Sequence, residues 1–397
     1  MSRSQPTGGI RPKEAMEIIY LSACALHGVK PEARYVEQID LKKLYKTCQF
    51  HSVTSIVCTA LEQADVFSSA DSAAAKKWKD AKAKAIRKNM LLDAERGQIL
   101  DEMEQAGIWH MPLKGSVLHT LYPKYGMRQM SDNDILYDPD GQTKLVEIMR
   151  RRGYEVESCG KSNHDVFMKP PIYNFEMHTS LFGQFTKEAY RYYKNIKERL
   201  YLDEGTSYRY HFSEEDFYIY MTAHAYKHYM HSGIGVRSLL DVYVYTAQKG
   251  NMLDWDYIAR ETGGMGMADF ERQSRKLAQK LFSAAVWPKE IVFSKEEEAM
   301  LSYFADSGTY GTTKHFVENR MREAQEGDTK AGWKGKARFI YRRLFPTMEW
   351  YQTYEPFFAK HKVLIPFFLI YRFFRRLLGK KGIKEELHAM REFGKEK

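Results

Sequence analysis

The chain has 397 residues, a formal net charge of +10 and four cysteines, with 44% apolar, 14% aromatic and 28% charged residues. That length can bury a large core and suggests roughly two to three domains, the aromatic content excludes disorder for most of the chain, and Cys24, Cys48, Cys58 and Cys159 form no Cys-x-x-Cys pair, which excludes a zinc ribbon, a thioredoxin-type site or a disulfide scaffold. The polar start Met1–Gly9 has no apolar signal core and the longest apolar run, Val363–Tyr371, is far short of the ~20 residues that span a bilayer, so a cytoplasmic protein without a transmembrane segment is expected.

In chain order, residues 1–12 read as a loose leader. Glu14 to Gln63 carries apolar residues at helical spacing and reads as two or three helices, with Asp40 as an N-cap. Ser69–Ala106 reads as one long helix without proline. Its Lys76, Lys77, Lys79, Lys82 and Lys84 read as a solvated face, because aromatics hardly interleave with them. Ile108–Leu113 is a predicted strand, Ser116–Tyr122 a short helix ended by Pro123, and Met130–Tyr137 a second strand. An amphipathic helix over Gln142–Arg152, closed by Gly153, leads to strands at Tyr154–Ser158, Asp165–Lys169 and Ile172–Leu181. This alternation implies a small mixed sheet with helices on one side.

From Phe185 the pattern turns helical again. The capping-box string Ser213-Glu-Glu-Asp216 opens a helix over Glu214–His231, which Gly233 and Gly235 end. Further helices are predicted over Val236–Lys249, Trp255–Thr262, Met267–Phe282 and Lys295–Asp306, then a loop and exposed helix over Gly308–Thr329. Lys334–Arg343, Val363–Leu378 and Ile383–Phe393 are the last helical segments. Between Lys330 and Lys384 lie fourteen Lys and Arg against Glu349 and Glu355, a surplus larger than the net charge of the whole chain. The basic character therefore belongs to that stretch. There Arg372, Arg375, Arg376 and Lys380 are expected in water, opposite Phe374, Leu377 and Leu378, with a weak contact to an anionic surface through 372–384 as the sharper alternative.

Chemistry concentrates between Met111 and Asp138. Asp132 and Asp134 are two residues apart on an extended segment, so they project from one face. Like charges that close repel, and a shared divalent cation keeps both ionised; carboxylate oxygens suit magnesium or manganese. On the same ground, neutralising Asp134 is expected to leave stability unchanged or slightly raised. Lys114-Gly115-Ser116 lies where an apolar strand gives way to a helix, a turn that offers backbone N–H groups and a lysine to a phosphate. Ser116 also reads as an N-cap. Glu176 alternates with Phe175 and Met177 and so lies on one strand face. His224, His228 and His231 fall at i, i+4 and i+7, without a His-Glu-x-x-His motif; with Lys227 they read as one wall of a cleft or as packing.

Gly115-Ser116 followed by Asp132-x-Asp134 resembles the core signature of the DNA polymerase beta-like nucleotidyltransferase superfamily. Leu113-Lys114-Gly115, Tyr122-Pro123, Arg128 and Asp132-x-Asp134-Ile135-Leu136 are more closely similar to a family of bacterial, mostly uncharacterised nucleotidyltransferases, with Glu176-x-His178 resembling its acid-x-His element. A weaker likeness runs through Lys227-His228, Gly233-x-Gly235 and Asp241 to Leu344-Phe-Pro346. The family usually has an apolar residue where this chain has Asn133. The resemblance implies an α+β protein, a polymerase beta-like nucleotidyltransferase mixed sheet flanked by N-terminal and C-terminal helical lobes, divided as 1–107, 108–184 (catalytic core), 185–330 and 331–397. It implies transfer of an NMP from an NTP such as ATP to an acceptor hydroxyl, with pyrophosphate release. One Mg2+ (or Mn2+) would be held by Asp132, Asp134 and Glu176, and a second by Asp132 and Asp134. Lys114, Gly115, Ser116, Arg128 and Lys227 would bind the nucleotide, and His178 would orient Glu176 or a phosphate. The acceptor (small molecule, sugar, protein or RNA) stays open. So do two rivals, a non-catalytic nucleotide-binding scaffold, for which Asn133 speaks, and an RNA-directed enzyme.

Overall fold

The computed structural model describes residues 13–69, 72–325, 340–348, 350–351 and 355–378, with 386, 389 and 390. The chain begins with α1 (Lys13–His27), α2 (Ala33–Val36), α3 (Leu41–His51), α4 (Thr54–Gln63) and α5 (Val66–Ser69), then the long α6 (Ser72–Gln105). Asp40 caps α3 as expected, accepting from the Lys42 and Lys43 amides. The sheet follows: β1 (His110–Pro112), α7 (Gly115–Leu118), β2 (Asn133–Tyr137), α8 (Gln142–Arg151), β3 (Glu155–Ser158), β4 (His164–Lys169) and β5 (Tyr173–His178). After α9 (Lys187–Tyr192) and a hairpin of β6 (Leu200–Leu202) and β7 (Tyr210–Phe212) come α10 (Glu214–His231), α11 (Val236–Lys249), α12 (Trp255–Gly264), α13 (Ala268–Phe282), α14 (Lys295–Ser307) and α15 (Thr313–Gln325).

The five strands lie in the order β1-β2-β5-β4-β3. β2 and β5 are parallel and the other neighbours antiparallel, so the sheet is mixed as expected. Both faces are covered, however, where helices on one side were expected. Ile135, Tyr137, Phe175 and Met177 pack on α6 and α8, through Ile99, Met103, Leu145 and Met149. Met111, Leu113 and Leu136 point the other way and join Phe217, Tyr220 and Ala223 of α10. The alternation of apolar residues along β2 and β5 serves both layers, which is why neither strand shows a simple polar face.

The opening helices α1, α3 and α4 share one apolar core with α11, α13 and α14, so the two helical lobes, distant in sequence, close over one another beside the sheet. α15 is not the exposed helix that its polar sequence suggests, since Val317 and Met321 are buried. At the C-terminus two residues of the expected faces, Phe374 and Arg372, depart from the expectation. In the helix Ile365–Leu378, Phe374 is 59% exposed, while Phe368 is buried and Arg372 stacks on Trp350 at 4.5 Å. Phe368 and Arg372 are one turn apart, so the turn that buries one covers the other. Arg375, Arg376, Leu377, Leu378 and the segments 334–339 and 379–385 lie outside the described side chains and residues. No helix among the described residues is long and apolar enough to cross a membrane.

One buried acid in this shared core makes a pH-dependent prediction. Glu17 of α1 is 2% exposed, and burial raises its carboxyl to about 7 even with Lys13 at 3.6 Å. A folded-state pKa above the unfolded value means that the folded chain binds the extra proton, so stability falls as pH rises from about 4.5 to about 7. Glu17→Gln is therefore expected to stabilise by about 1–3 kcal/mol at pH 8 and to change little at pH 4.5. Urea denaturation at both pH values checks this; a difference that is the same at both would mean that Glu17 does not titrate in this range.

Candidate active site

The site grows from the register of the two parallel strands. Asp134 on β2 lies across from Glu176 on β5, and Leu136 across from His178, so Asp134, Glu176 and His178 share the face opposite Asn133 and Ile135. The three place a ligand atom each within 4.8 Å of one another. β1 ends at Pro112, and the Leu113 amide still donates to the Asp134 carbonyl at 2.9 Å. The chain then turns at Lys114, a non-glycine residue with φ +48°. Strain of this kind persists only where the surroundings hold it. Here it aims the Lys114 ammonium at Asp134 Oδ1, 2.7 Å away. Gly115 is required beside it, because a Cβ there would sit 2.6 Å from Arg128 Nη1.

Lys114, Gly115, Arg128, Asp134 and Glu176 line a cavity of about 320 Å3, together with Tyr220, His224 and His228 of α10. Asp134 is 5% exposed. Burial works against its charge, but Lys114 and a 2.9 Å hydrogen bond donated by His178 Nε2 outweigh this and hold it well below the usual carboxylate range. His178 is pushed down to about 4 by burial, so it is neutral at pH 7 and donates from Nε2; its Nδ1 is buried without a partner among the described residues. Glu176 is raised to about 7 by burial and by its neighbours Asp134 and Asp132. Burial and Asp134 raise Asp132 as well. Lys114 counters one carboxylate and leaves the others short of positive charge. A hard divalent cation fits such a donor set, since it would relieve both.

The model of a family described as uncharacterised nucleotidyltransferases matches residues 37–283, well over half of the chain. The chain belongs to this family. Comparison with curated proteins and with solved structures gives no match. The match runs from the end of α2 through α13; it includes the whole sheet and excludes the basic C-terminal stretch.

Within this nucleotidyltransferase, not every residue marked in the sequence meets the cavity as expected. Asp132 lines it from the segment before β2 rather than from the strand, accepts from Ser131 Oγ at 2.9 Å, and stands outside the close group, a place that His178 takes. Ser116 neither caps α7 nor faces the cavity. Its hydroxyl donates to the Leu113 carbonyl at 2.5 Å and closes the turn, and Lys114 occupies the cap position. Arg128 is not a free phosphate clamp. Its Nε and Nη2 donate to both oxygens of Asp241 at 2.7 and 3.0 Å, and Tyr122 donates to the same carboxylate at 2.8 Å. A buried guanidinium needs a counter-charge, and Asp241 on α11 supplies it. Lys227 lies close enough to Lys114, Asp134 and Glu176 to feel their charges, and burial lowers it to about 8. His224 and His228 face one another with Nε2 atoms 3.3 Å apart.

Other residues, absent from the sequence reading, hold the acid segment in place. Asn89 of α6 donates to the Arg128 carbonyl and accepts from the Met130 amide; Lys88 donates to the Ser131 carbonyl at 2.7 Å. Asn133 donates to the Leu92 carbonyl and accepts from Arg96 at 2.8 Å. So Asn133, the departure from the family pattern, is a fully partnered anchor of β2 on α6. A polar Asn89 in the middle of a helix was the available signal.

Proposed function

We propose that the protein transfers a nucleoside monophosphate from an NTP to an acceptor hydroxyl. The observation that carries this reading is Asp134 paired with Glu176 across two parallel strands, with Lys114 bonded to Asp134 at the cavity, in a nucleotidyltransferase family. Asp132, Asp134 and Glu176 would hold the divalent cations; when bound, these lower the pKa of the attacking hydroxyl and offset the charge of the leaving pyrophosphate. The chain's own part is positioning and charge. Neutral His178 fixes Asp134 in one orientation. The ammonium groups of Lys114 and Lys227 favour the negative charge of a triphosphate, and His224 and His228, both neutral because burial pushes them down, offer uncharged hydrogen bonds. The acceptor oxygen bonds to the α-phosphorus, the bond from that phosphorus to the oxygen bridging to the β-phosphate breaks, and the acceptor proton passes to Glu176, a carboxylate that lines the cavity. Asn133 gives no support to a non-catalytic scaffold, since it points away from the cavity and its partners lie on α6.

Thermal denaturation with each NTP, with and without Mg2+ or Mn2+, tests the reading. At an NTP concentration of about 100 Kd the folded state should gain about 2.7 kcal/mol, and only with the metal present. Pyrophosphate release in the same mixtures reports turnover. Stabilisation without metal dependence would overturn the assignment of the three acids.

A further inference from the structure

We propose that a second cavity, beside the catalytic one, receives the acceptor, and that the acceptor is a small molecule carrying a phosphate group. The inference rests on the nucleotidyltransferase reading above. This cavity, of about 710 Å3, runs along α6 and shares Gln129, Met130, Ser131, Arg237 and Tyr310 with the catalytic cavity. Lys77, Lys84 and Lys88 line it at i, i+7 and i+11, one stripe of α6. Ala73, Ala81 and Ala85 fall among them, so the groove floor lacks bulk. Lys76 lies beside the stripe and pairs with Asp80 at 2.8 Å, the one acid of the lining among the described residues. Lys76, Lys77 and Lys84 are exposed, as the sequence suggested, and the solvated face that they form is also one wall of this cavity.

The stripe ends at the chemistry. Lys88 donates to the Ser131 carbonyl, the residue before Asp132. Arg237, half-buried at the junction of the two cavities, reaches the Gln129 carbonyl at 3.4 Å, a long bond that leaves most of a five-donor guanidinium uncommitted. A guanidinium and ammonium groups around one concavity match a phosphate. The nucleotide does not need this cavity, because the three acids that hold its cations open into the other. In-line displacement brings the acceptor to the α-phosphate from the side opposite the leaving pyrophosphate, which a neighbouring, connected cavity allows. The volume is that of a small-molecule pocket. A polynucleotide would call for a run of stacking rings, whereas the rings here are Tyr310 and Tyr45, the latter covered by Lys77 at 4.3 Å.

The test loads the full chain with Mg2+ and the non-hydrolysable analogue α,β-methylene-ATP, then titrates ribose 5-phosphate, glycerol 3-phosphate, ribose, glycerol and a ten-nucleotide RNA by calorimetry. The two phosphate compounds should bind and their neutral counterparts should not. Lys77→Glu with Lys84→Glu should weaken that binding by about tenfold or more and leave the affinity for the analogue unchanged. Both side chains are exposed, and the milder Lys77→Gln with Lys84→Gln, expected to show a smaller loss in the same direction, serves if the reversal does not fold. If the analogue binds but neither phosphate compound does, if the charge changes have no effect, or if the RNA binds more tightly than both, the acceptor assignment is overturned. Failure of the analogue itself to bind would instead remove the nucleotidyltransferase reading, and this inference with it.

Discussion

Asp134→Asn is expected to lower turnover roughly a thousandfold or more. Metal-supplied charge stabilisation contributes several kcal/mol, at about 1.36 kcal/mol per tenfold in rate. The substitution keeps size and removes the charge on which the cations depend, so metal-dependent stabilisation by NTP should vanish too. The fold should also suffer, contrary to what two adjacent acids alone imply. Asp134 is held ionised by Lys114 at 2.7 Å and by His178 at 2.9 Å, so attraction exceeds repulsion at this oxygen. Asparagine leaves a partly buried ammonium short of its counter-charge, at a cost of about 1–3 kcal/mol. Urea denaturation and pyrophosphate release, measured on the same preparation, separate the two effects. A variant that loses stability but keeps metal-dependent NTP binding would place the chemistry elsewhere in the chain.

Asp241→Ala should have the largest effect on stability. It strips both carboxylate oxygens from the buried Arg128 and the acceptor from Tyr122. Removing one member of a buried ion pair typically costs about 3–5 kcal/mol, because the other is left charged and dry. The Arg128 side chain also packs against Gly115, so the strained turn that aims Lys114 loses its brace and kcat should fall with stability. Replacing both members, Arg128→Met with Asp241→Leu, should recover most of the stability. Equal losses in the single and double variants would show that the pair contributes through packing rather than charge.

Much of the site was legible because it is local. Alternation along Asn133–Tyr137 sets the face of Asp134 within its strand and alternation along Tyr173–His178 that of Glu176, while the parallel register brings the two together; helix bounds such as Glu214–His231 and Val236–Lys249 follow from capping residues and periodicity. Asp132 was misread by one step, since β2 begins at Asn133 and the residue before a strand need not keep its pleat. Lys76, Lys77, Lys79 and Lys84 are exposed, as their charge and the lack of interleaved aromatics suggest, but composition does not say that this face also borders a cavity.

The sequence by itself determined the five strands of the sheet, most of the helices and the lysine–glycine turn before the acids, because each depends on residues a few positions apart; it missed the β6–β7 hairpin, whose segment reads as helical. The tertiary structure decided which charges have partners. Arg128 meets Asp241 across 113 positions, Asn133 and the backbone of 128–131 are held by α6, and Lys114 reaches Asp134 only after a turn of positive φ. A charge is satisfied by whatever group the fold brings within about 3–4 Å of it, and in a low-dielectric interior that approach dominates its energy; spacing along the chain carries no record of it.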